Sequence, residues 1–191
     1  MPLVRSAESV LVVVDTQPGF VDHPAMGDAE RTTAAHTVER IAWLVRVAGL
    51  VGVPIVVTEE APEREGETHA RVKAVAPEGA RAIAKKTFAL TGCRDAMAAI
   101  EATERRTVVL TGFETDVCVA QSAVGLADAG YRVVVPADAA YTSREVDHRH
   151  GLARMRDAGV EIHASKGVVF EWLEDVETAE AILRRAGPAL R

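Results

Sequence analysis

Short apolar runs alternate with longer stretches in which apolar residues recur three and four positions apart. Six runs predict strands, at residues 10–14, 54–58, 80–84, 107–110, 131–135 and 160–163, and the run at 107–110 is typical of a strand buried on both faces. The longer stretches predict helices over 30–50, 94–104, 116–130, 144–158 and 170–186. Strands that alternate with helices form a parallel sheet covered on both faces. We therefore predict an α/β fold, a three-layer, doubly wound, six-stranded parallel sheet of Rossmann-like type.

Three reactive side chains lie at the ends of predicted strands or just beyond them: Asp15, Lys85 and Cys118. Ligands of open parallel sheets bind at the carboxyl ends of the strands, so we expect these side chains to lie close together. Cys118 falls in the first turn of a predicted helix, where free N–H groups and the helix dipole stabilise a thiolate. We expect a lowered thiol pKa and a nucleophile; the alternative is a half-buried cysteine that serves as a small hydrophobe.

Composition narrows the classes of protein. The chain has 191 residues and is 48% hydrophobic, enough for one domain over residues 1–191. Its net charge of −6 and 4% aromatic content argue against a nucleic-acid partner. Cys93 and Cys118 give neither a disulfide framework nor a CxxC zinc pair. Without a signal peptide or a membrane-spanning run, we expect a cytoplasmic protein with no membrane partner.

Three segments resemble motifs of one family, the isochorismatase-like cysteine hydrolases. DTQPGF at 15–20 resembles its D-x-Q-x-x-F element, and KKTFA at 85–89 resembles its lysine segment. GFETDVCV at 112–119 resembles its nucleophile turn, G-x-x-T-x-x-C-V. The motifs occur in the family's order and are closest to the isochorismatase-domain-containing branch. The resemblance implies one hydrolase domain of that fold.

The resemblance also implies a catalytic role for each matched residue. Cys118 would attack an electrophilic carbon and form a covalent acyl-enzyme. Asp15 would take the thiol proton and return it to the leaving amine, and Lys85 would supply a cation that favours the thiolate. The backbone N–H groups of Glu114 and Cys118 would form an oxyanion hole, with a cis peptide bond between Phe113 and Glu114.

Two further roles concern the first loop and the choice of lysine. Phe20 and Gln17 are candidates for the substrate pocket. Phe20 would line it, and Gln17 would brace the loop. Lys86 is an alternative to Lys85, because neighbouring side chains of an extended segment point in opposite directions. The spacing to Phe88 favours Lys85.

Departures from the family limit the chemistry. Metal-dependent nicotinamidases carry a D-x-H element after the second strand, where this chain has TEEAP at 58–62. We therefore predict no metal, no other cofactor, and a main substrate other than nicotinamide. His148 and His150 are two apart on a helix and are poor metal partners. True isochorismatases lack the cysteine, so Cys118 argues against vinyl-ether cleavage. Asp138 is interpreted as a brace for its loop.

The leading hypothesis is a cysteine hydrolase that cleaves a C–N bond of a small amide or carbamoyl compound. Its partners would be a small-molecule substrate and further copies of the chain, with Trp172 and Leu173 as interface candidates. The competing hypothesis keeps the fold for binding or assembly, or uses Cys118 as a redox sensor that Cys93 could resolve. Asp15 and Lys85 favour the enzyme, because a binding protein needs neither beside a thiol.

Overall fold

A parallel β-sheet forms the centre of the computed structural model, which describes residues 2–187. Its strands are β1 (Ser9–Val14), β2 (Ile55–Glu60), β3 (Ala82–Lys85), β4 (Thr107–Phe113), β5 (Arg132–Pro136), β6 (Ala140–Tyr141) and β7 (Glu161–His163). The order is β3-β2-β1-β4-β5-β7, and β6 pairs with β4. All six predicted strands are present, so the fold class is confirmed; β6 has two residues, too few for a sequence pattern. The ends of the predicted 1–191 domain, residues 1 and 188–191, lie outside the described residues.

The helices connect these strands. They are α1 (Pro18–Val21), α2 (Asp28–Leu50), α3 (Pro62–Glu65), α4 (Ala70–Lys73), α5 (Arg94–Glu101), α6 (Ala120–Asp128), α7 (Glu145–Asp157), α8 (Ser165–Leu173) and α9 (Val176–Ala186). Within residues 2–187, we find no helix with the length and apolar character needed to cross a membrane.

The predicted single helix over 170–186 is wrong, because the chain forms two helices there. Glu174 adopts a positive φ of 64° after α8, and Asp175 caps α9 by accepting a hydrogen bond from the Thr178 N–H at 2.8 Å. Trp172 and Leu173 are buried in the core, and the Trp172 indole N–H donates to Ser9 Oγ at 3.1 Å. These two residues therefore hold α8 against the sheet and are not available to a partner.

Two apolar layers cover the sheet. Alternate residues of β1 point to opposite faces, so Leu11 and Val13 join one core while Val10, Val12 and Val14 join the other. The first core is completed by α2, α8 and α9, and the second by residues of α5, α6 and α7. β1 and β4 are buried along their whole length, as expected for central strands of a parallel sheet.

The chain reverses its direction of travel across the sheet between β1 and β4, which lie side by side. These strands approach closely at their carboxyl ends, where Gly112 pairs with Val14. Gly112 has a φ of 131°, and a Cβ there would lie 1.9 Å from the Val14 carbonyl oxygen. Only glycine fits this position. The end of β1 and the turn after β4 are thereby brought together, at the edge where ligands bind in such sheets.

Candidate active site

Asp15, Lys85 and Cys118 meet at this edge of the sheet, as the strand ends predict. Lys85 Nζ lies 2.5 Å from Asp15 Oδ2, and both side chains are 0% exposed. Lys86, the alternative, is exposed. Of the two adjacent lysines, the structure therefore places Lys85 in the group and Lys86 on the surface.

The Lys85 ammonium group is fixed by acceptors on three sides. Besides Asp15, it donates to the backbone carbonyls of Thr87 at 2.9 Å and Phe88 at 3.3 Å. These carbonyls follow β3 directly, so the chain turns back over its own lysine. An ammonium group that is bonded in this way is held in one position beside the thiol.

Asp15 follows β1 with a φ of 45°, in the left-handed region that turns its side chain off the strand path. Its N–H donates to the Thr58 carbonyl at 3.1 Å, and its Oδ1 accepts from Thr58 Oγ1 at 3.0 Å. Burial raises the pKa of Asp15, and Lys85 opposes that rise. A carboxyl whose pKa is shifted toward neutrality is better suited to acid–base work at physiological pH.

Cys118 lies in a π-helical turn, Thr115–Val119, between β4 and α6. The peptide bond between Phe113 and Glu114 is cis. The Glu114 carbonyl accepts from the N–H groups of Val117 at 3.2 Å and Val119 at 3.0 Å. This tight turn orients the Cys118 side chain toward the carboxyl ends of the strands, and Cys118 is only 2% exposed there.

Glu60 is a fourth member of the group, and the sequence reasoning did not assign it to the site. Cys118 Sγ donates to Glu60 Oε2 at 3.0 Å, and Lys85 Nζ lies 3.7 Å from the same oxygen. The parallel register explains its position, because Glu60 ends β2 opposite Lys85 of β3. β2 lies between the strands that carry Asp15 and Lys85. Glu60 could have been assigned to the site only with knowledge of this strand order.

The predicted lowering of the Cys118 pKa is wrong for this site. Burial is the largest cause of a raised thiol pKa, and the charge of Asp15 and the hydrogen bond and charge of Glu60 add to it; the charge of Lys85 opposes them. Burial and the two carboxylates that face the sulfur together outweigh the opposing charge of Lys85. The thiol is therefore protonated in the free site, and its proton must leave as the sulfur reacts.

Asp15, Glu60 and Cys118 also offer donor atoms that all lie within 4.8 Å of one another. A cation is already present among them, since Lys85 Nζ lies 2.5 Å from Asp15 and 3.7 Å from Glu60. A divalent ion would be repelled by that ammonium group. We therefore keep the prediction that this site binds no metal ion.

Gln17 acts as a brace behind the group and does not line an open cavity. It is fully buried, and its Nε2 donates to the Glu60 carbonyl at 2.9 Å and the Gly66 carbonyl at 2.5 Å. Its Oε1 accepts from the Glu60 N–H at 2.7 Å. Of its two predicted roles, bracing the loop describes these contacts, because the amide has no free face for a substrate.

Replacing Gln17 with alanine should reduce the free energy of unfolding by about 3 kcal/mol, about 1 kcal/mol for each of three lost hydrogen bonds. Urea denaturation would measure the loss. Gln121→Ala, at an exposed position of α6, is the matched control and should stay within about 0.5 kcal/mol of the parent. Equal losses in the two variants would contradict the bracing role.

Phe20 lies on a cavity of about 480 Å³ beside the nucleophile turn. Its lining residues are Gly19, Phe20, His23, Ala25, Met26, Glu30, Glu65, Glu114 and Ser143. Glu114 belongs both to this cavity and to the turn that carries Cys118. Burial raises the pKa of the Glu114 carboxyl, and the charge of Asp116 adds to that rise. Phe20 thus lies on an acidic cavity of small-molecule size, and its contact with a substrate stays a prediction.

Helix α7 supports the nucleophile turn from behind. Thr115 Oγ1 is 2.9 Å from His148 Nδ1, and burial lowers the pKa of His148. A Cβ at Gly151 would lie 2.9 Å from Asp116 Cα, so the two backbones are in contact. His148 and Gly151 are supporting residues that the sequence reasoning missed, because no local pattern shows which helix packs on the turn.

Replacing Gly151 with alanine should destabilise the protein by about 1–3 kcal/mol, because the added methyl group pushes the turn outward. Gly167→Ala is the control: it is also helical, and its Cβ would meet nothing within 4 Å. That change should be neutral or stabilise by up to about 1 kcal/mol. Thermal unfolding of both variants would test this, and a Gly151→Ala variant as stable as the parent would refute the close contact.

Asp138 and Cys93 lie outside the group. Asp138 accepts from the Ser165 N–H at 2.7 Å and from Ser165 Oγ at 2.6 Å, and it pairs with Arg40 Nε at 3.2 Å. It braces the start of α8, in agreement with its interpretation as a structural residue. Cys93 and Cys118 are both free thiols.

Comparison with known proteins identifies the family of this chain. The family model of the isochorismatase domain matches residues 9–166. Isochorismatase domain-containing protein 2 of Homo sapiens is 30% identical over 172 residues, which cover 90% of this chain and 78% of that protein.

Solved structures share the fold. The YcaC gene product of Escherichia coli, described as an octameric hydrolase of unknown specificity, aligns with a TM-score of 0.86 and 24% identity over 97% of this chain and 89% of that one. YcaC of Pseudomonas aeruginosa, solved with hexane-2,5-diol and covalent acrylamide, aligns with a TM-score of 0.80 and 25% identity, covering 98% and 93% of the two chains.

Proposed function

Because this chain belongs to the isochorismatase-like hydrolase family, we propose that it hydrolyses a C–N bond of a small amide or carbamoyl compound through Cys118. One observation carries the proposal: a buried thiol, a buried lysine and a buried carboxylate meet at the carboxyl ends of parallel strands. A lysine–aspartate pair beside a cysteine supplies the charge and the proton acceptor that a thiol nucleophile needs.

In the first half of the reaction, Cys118 Sγ attacks the carbonyl carbon while its proton passes to the Asp15 carboxylate. The carbonyl π electrons move to oxygen, and the backbone N–H groups of Glu114 and Cys118 stabilise that oxyanion. Each such donor is worth about 3 kcal/mol of the barrier. The C–N bond then breaks, the leaving nitrogen takes up the proton, and a thioester remains on Cys118.

In the second half, water attacks the thioester. Asp15 takes a proton from the water as the new C–O bond forms, and the sulfur leaves and is protonated again. Lys85 holds the Asp15 carboxylate in position and balances its charge throughout. The products are the amine or ammonia and a carboxylic or carbamic acid, so that atoms and protons balance over the cycle.

The cavity at Phe20 and Glu114 favours a small substrate without negative charge. Glu30, Glu65 and Glu114 contribute carboxyl groups to its wall, and none of the described residues that line it is a lysine or an arginine. An anionic substrate would be repelled there, whereas a neutral amide could donate its N–H groups to these carboxylates.

The competing functions have less support. Cys118 is almost fully buried and its pKa is raised by that burial, whereas redox-sensing thiols have low pKa values and are exposed. A binding protein gains nothing from a buried lysine–aspartate pair, which is costly to desolvate.

We further propose a homo-oligomer, in line with the octameric YcaC of Escherichia coli. In the tail, Phe170 is 43% exposed and Val176 is 76% exposed, so these residues replace Trp172 and Leu173 as interface candidates.

A panel of small primary amides and N-carbamoyl compounds, with nicotinamide included, tests this function through the release of ammonia. We expect release from at least one neutral compound and weaker release from its anionic analogues. The Asp15→Asn variant should lose that activity. A panel in which no compound is hydrolysed by the parent protein, although Cys118 can be alkylated, would contradict the proposed function.

A further inference from the structure

A second cavity lies next to the one at Phe20. Its volume is about 440 Å³, and it is enclosed by α2 and by residues 137–148, which contain β6 and the start of α7. Glu30 and Ser143 line both cavities, so the two cavities adjoin at these residues. We infer that the second cavity is a substrate subsite, which binds an uncharged, hydroxylated tail of the amide; this inference rests on the proposed function.

The second cavity is also next to the turn that carries the nucleophile. Thr142 lines it, and Thr142 Oγ1 lies 3.5 Å from Oε1 of Glu114, whose N–H is proposed to bind the oxyanion. His148 lines it too, and His148 Nδ1 is 2.9 Å from Thr115 Oγ1. A substrate whose carbonyl group is held at this turn would therefore have the rest of its atoms near the second cavity.

Three hydroxyl groups on the cavity wall have already used their hydrogen atoms. Thr33 Oγ1 donates to the Ala29 carbonyl at 3.0 Å, and Thr37 Oγ1 donates to the Thr33 carbonyl at 3.0 Å. Tyr141 Oη donates to the Glu30 carbonyl at 3.1 Å. A hydroxyl group has one hydrogen and two lone pairs, so each oxygen can still accept a hydrogen bond. The wall therefore favours an occupant that donates hydrogen bonds, as hydroxyl groups do and an alkyl chain does not.

The charged groups of this cavity have partners within the fold or face solvent. Arg40 Nε pairs with Asp138 Oδ2 at 3.2 Å. Glu30 Oε2 accepts from the Gly27 N–H at 2.6 Å at the start of α2, and Glu145 is exposed. A charged tail would lose hydration in the cavity and would have to displace one of these partners. The donor groups of the tail are therefore expected to be neutral.

Protection of Cys118 from iodoacetamide tests the subsite, with labelling at Cys118 followed by peptide mass spectrometry. The competitors are gluconamide, with a hydroxylated tail on the acyl side, and N-acetylglucamine, with that tail on the nitrogen. Acetamide and the matched alkyl amides, hexanamide and N-hexylacetamide, are the references. One hydrogen bond changes binding by about fivefold. With several acceptors available, we expect at least one hydroxylated amide to protect at a concentration about tenfold or more below that of acetamide and of its alkyl counterpart.

Variants locate this advantage in the second cavity. Thr37→Val removes one acceptor oxygen with little change of shape and should reduce the advantage by about fivefold. Ser143→Phe fills the junction of the cavities and should reduce it to about twofold or less. Thr32→Val is the matched control: Thr32 is exposed on the same helix, its Oγ1 donates to the Asp28 carbonyl at 2.8 Å, and it should keep the parent advantage. Each advantage is a ratio to acetamide in the same variant, so a general change in thiol reactivity cancels.

Each outcome decides the inference. Hydroxylated amides that protect no better than acetamide, or no better than their alkyl counterparts, would overturn it, as would an advantage that is unchanged in both Thr37→Val and Ser143→Phe. Titration followed by protein NMR measures the same dissociation constants without thiol chemistry, and it decides the result if Cys118 resists alkylation.

The subsite and the proposed function can fail separately. If hydroxylated amides bind as expected but no amide is hydrolysed, the subsite stands and the proposed function fails. If short amides are hydrolysed while hydroxylated tails bring no advantage, the function stands and the subsite is wrong.

Discussion

Replacing Cys118 with serine is expected to slow hydrolysis by on the order of 10⁴-fold or more, because the nucleophile is removed while its surroundings remain. A serine hydroxyl holds its proton far more tightly than a thiol. Burial and the two carboxylates that already raise the pKa of the Cys118 thiol would hinder its ionisation further. The change from sulfur to oxygen is small, so the variant should fold as the parent does.

The measurement is the rate of ammonia release from whichever amide the panel identifies, at saturating substrate. Cys93→Ser is the matched control, since Cys93 is the other free thiol and lies outside the group; it should keep the parent rate. Thermal unfolding of both variants checks that the fold is intact. A Cys118→Ser variant with the activity of Cys93→Ser would remove Cys118 from the mechanism.

Replacing Lys85 with methionine should reduce the free energy of unfolding by about 3–5 kcal/mol and abolish hydrolysis. The Asp15 carboxylate would then be buried without its ion-pair partner, and uncompensated buried charges carry costs of this size. Lys86→Met, at the exposed neighbour, is the control and should change stability by less than about 0.5 kcal/mol. Urea denaturation of the two variants gives the comparison, and equal losses would contradict the pairing.

The deficit of Lys85→Met should also depend on pH. Burial already raises the pKa of Asp15, with Lys85 opposing the rise, so loss of the lysine raises that pKa further. A carboxyl with a higher pKa in the folded state binds more protons there, and stability then increases as pH falls. The deficit should therefore be smaller at acid pH than at neutral pH. The double variant Lys85→Met/Asp15→Asn should recover much of the lost stability at neutral pH, because it has no unpaired charge.

The fold was predictable because its signals are local. The predicted central strands at 10–14 and 107–110 are short runs of apolar or β-branched residues, and burial of β1 and β4 on both faces follows from such runs. The break between the last two helices was not predictable, because the apolar spacing continues through residues 170–186. Glu174 and the Asp175 cap end one helix and begin the next. A single residue with a positive φ leaves no trace in hydrophobic periodicity.

The site was predictable as far as motifs and strand ends reach. Asp15, Lys85 and Cys118 each lie at or just beyond a strand end. Their proximity could be predicted from the assumption of a parallel sheet alone. Glu60 needed the strand order, since it matters only once β2 is known to lie between β1 and β3. The direction of the Cys118 pKa shift depends on burial and on the charges of Asp15, Glu60 and Lys85, which come from distant parts of the chain.

The most direct test of the acyl-enzyme mechanism is a search for the covalent intermediate. An amide that the protein hydrolyses would be mixed with it, the reaction quenched in acid during turnover, and the peptides mapped by mass spectrometry. We predict an added acyl mass on the peptide that contains Cys118, absent from Cys118→Ser and lost as substrate is exhausted. Steady hydrolysis with no acyl mass on Cys118 at any quench time, or with that mass on another residue, would contradict the account.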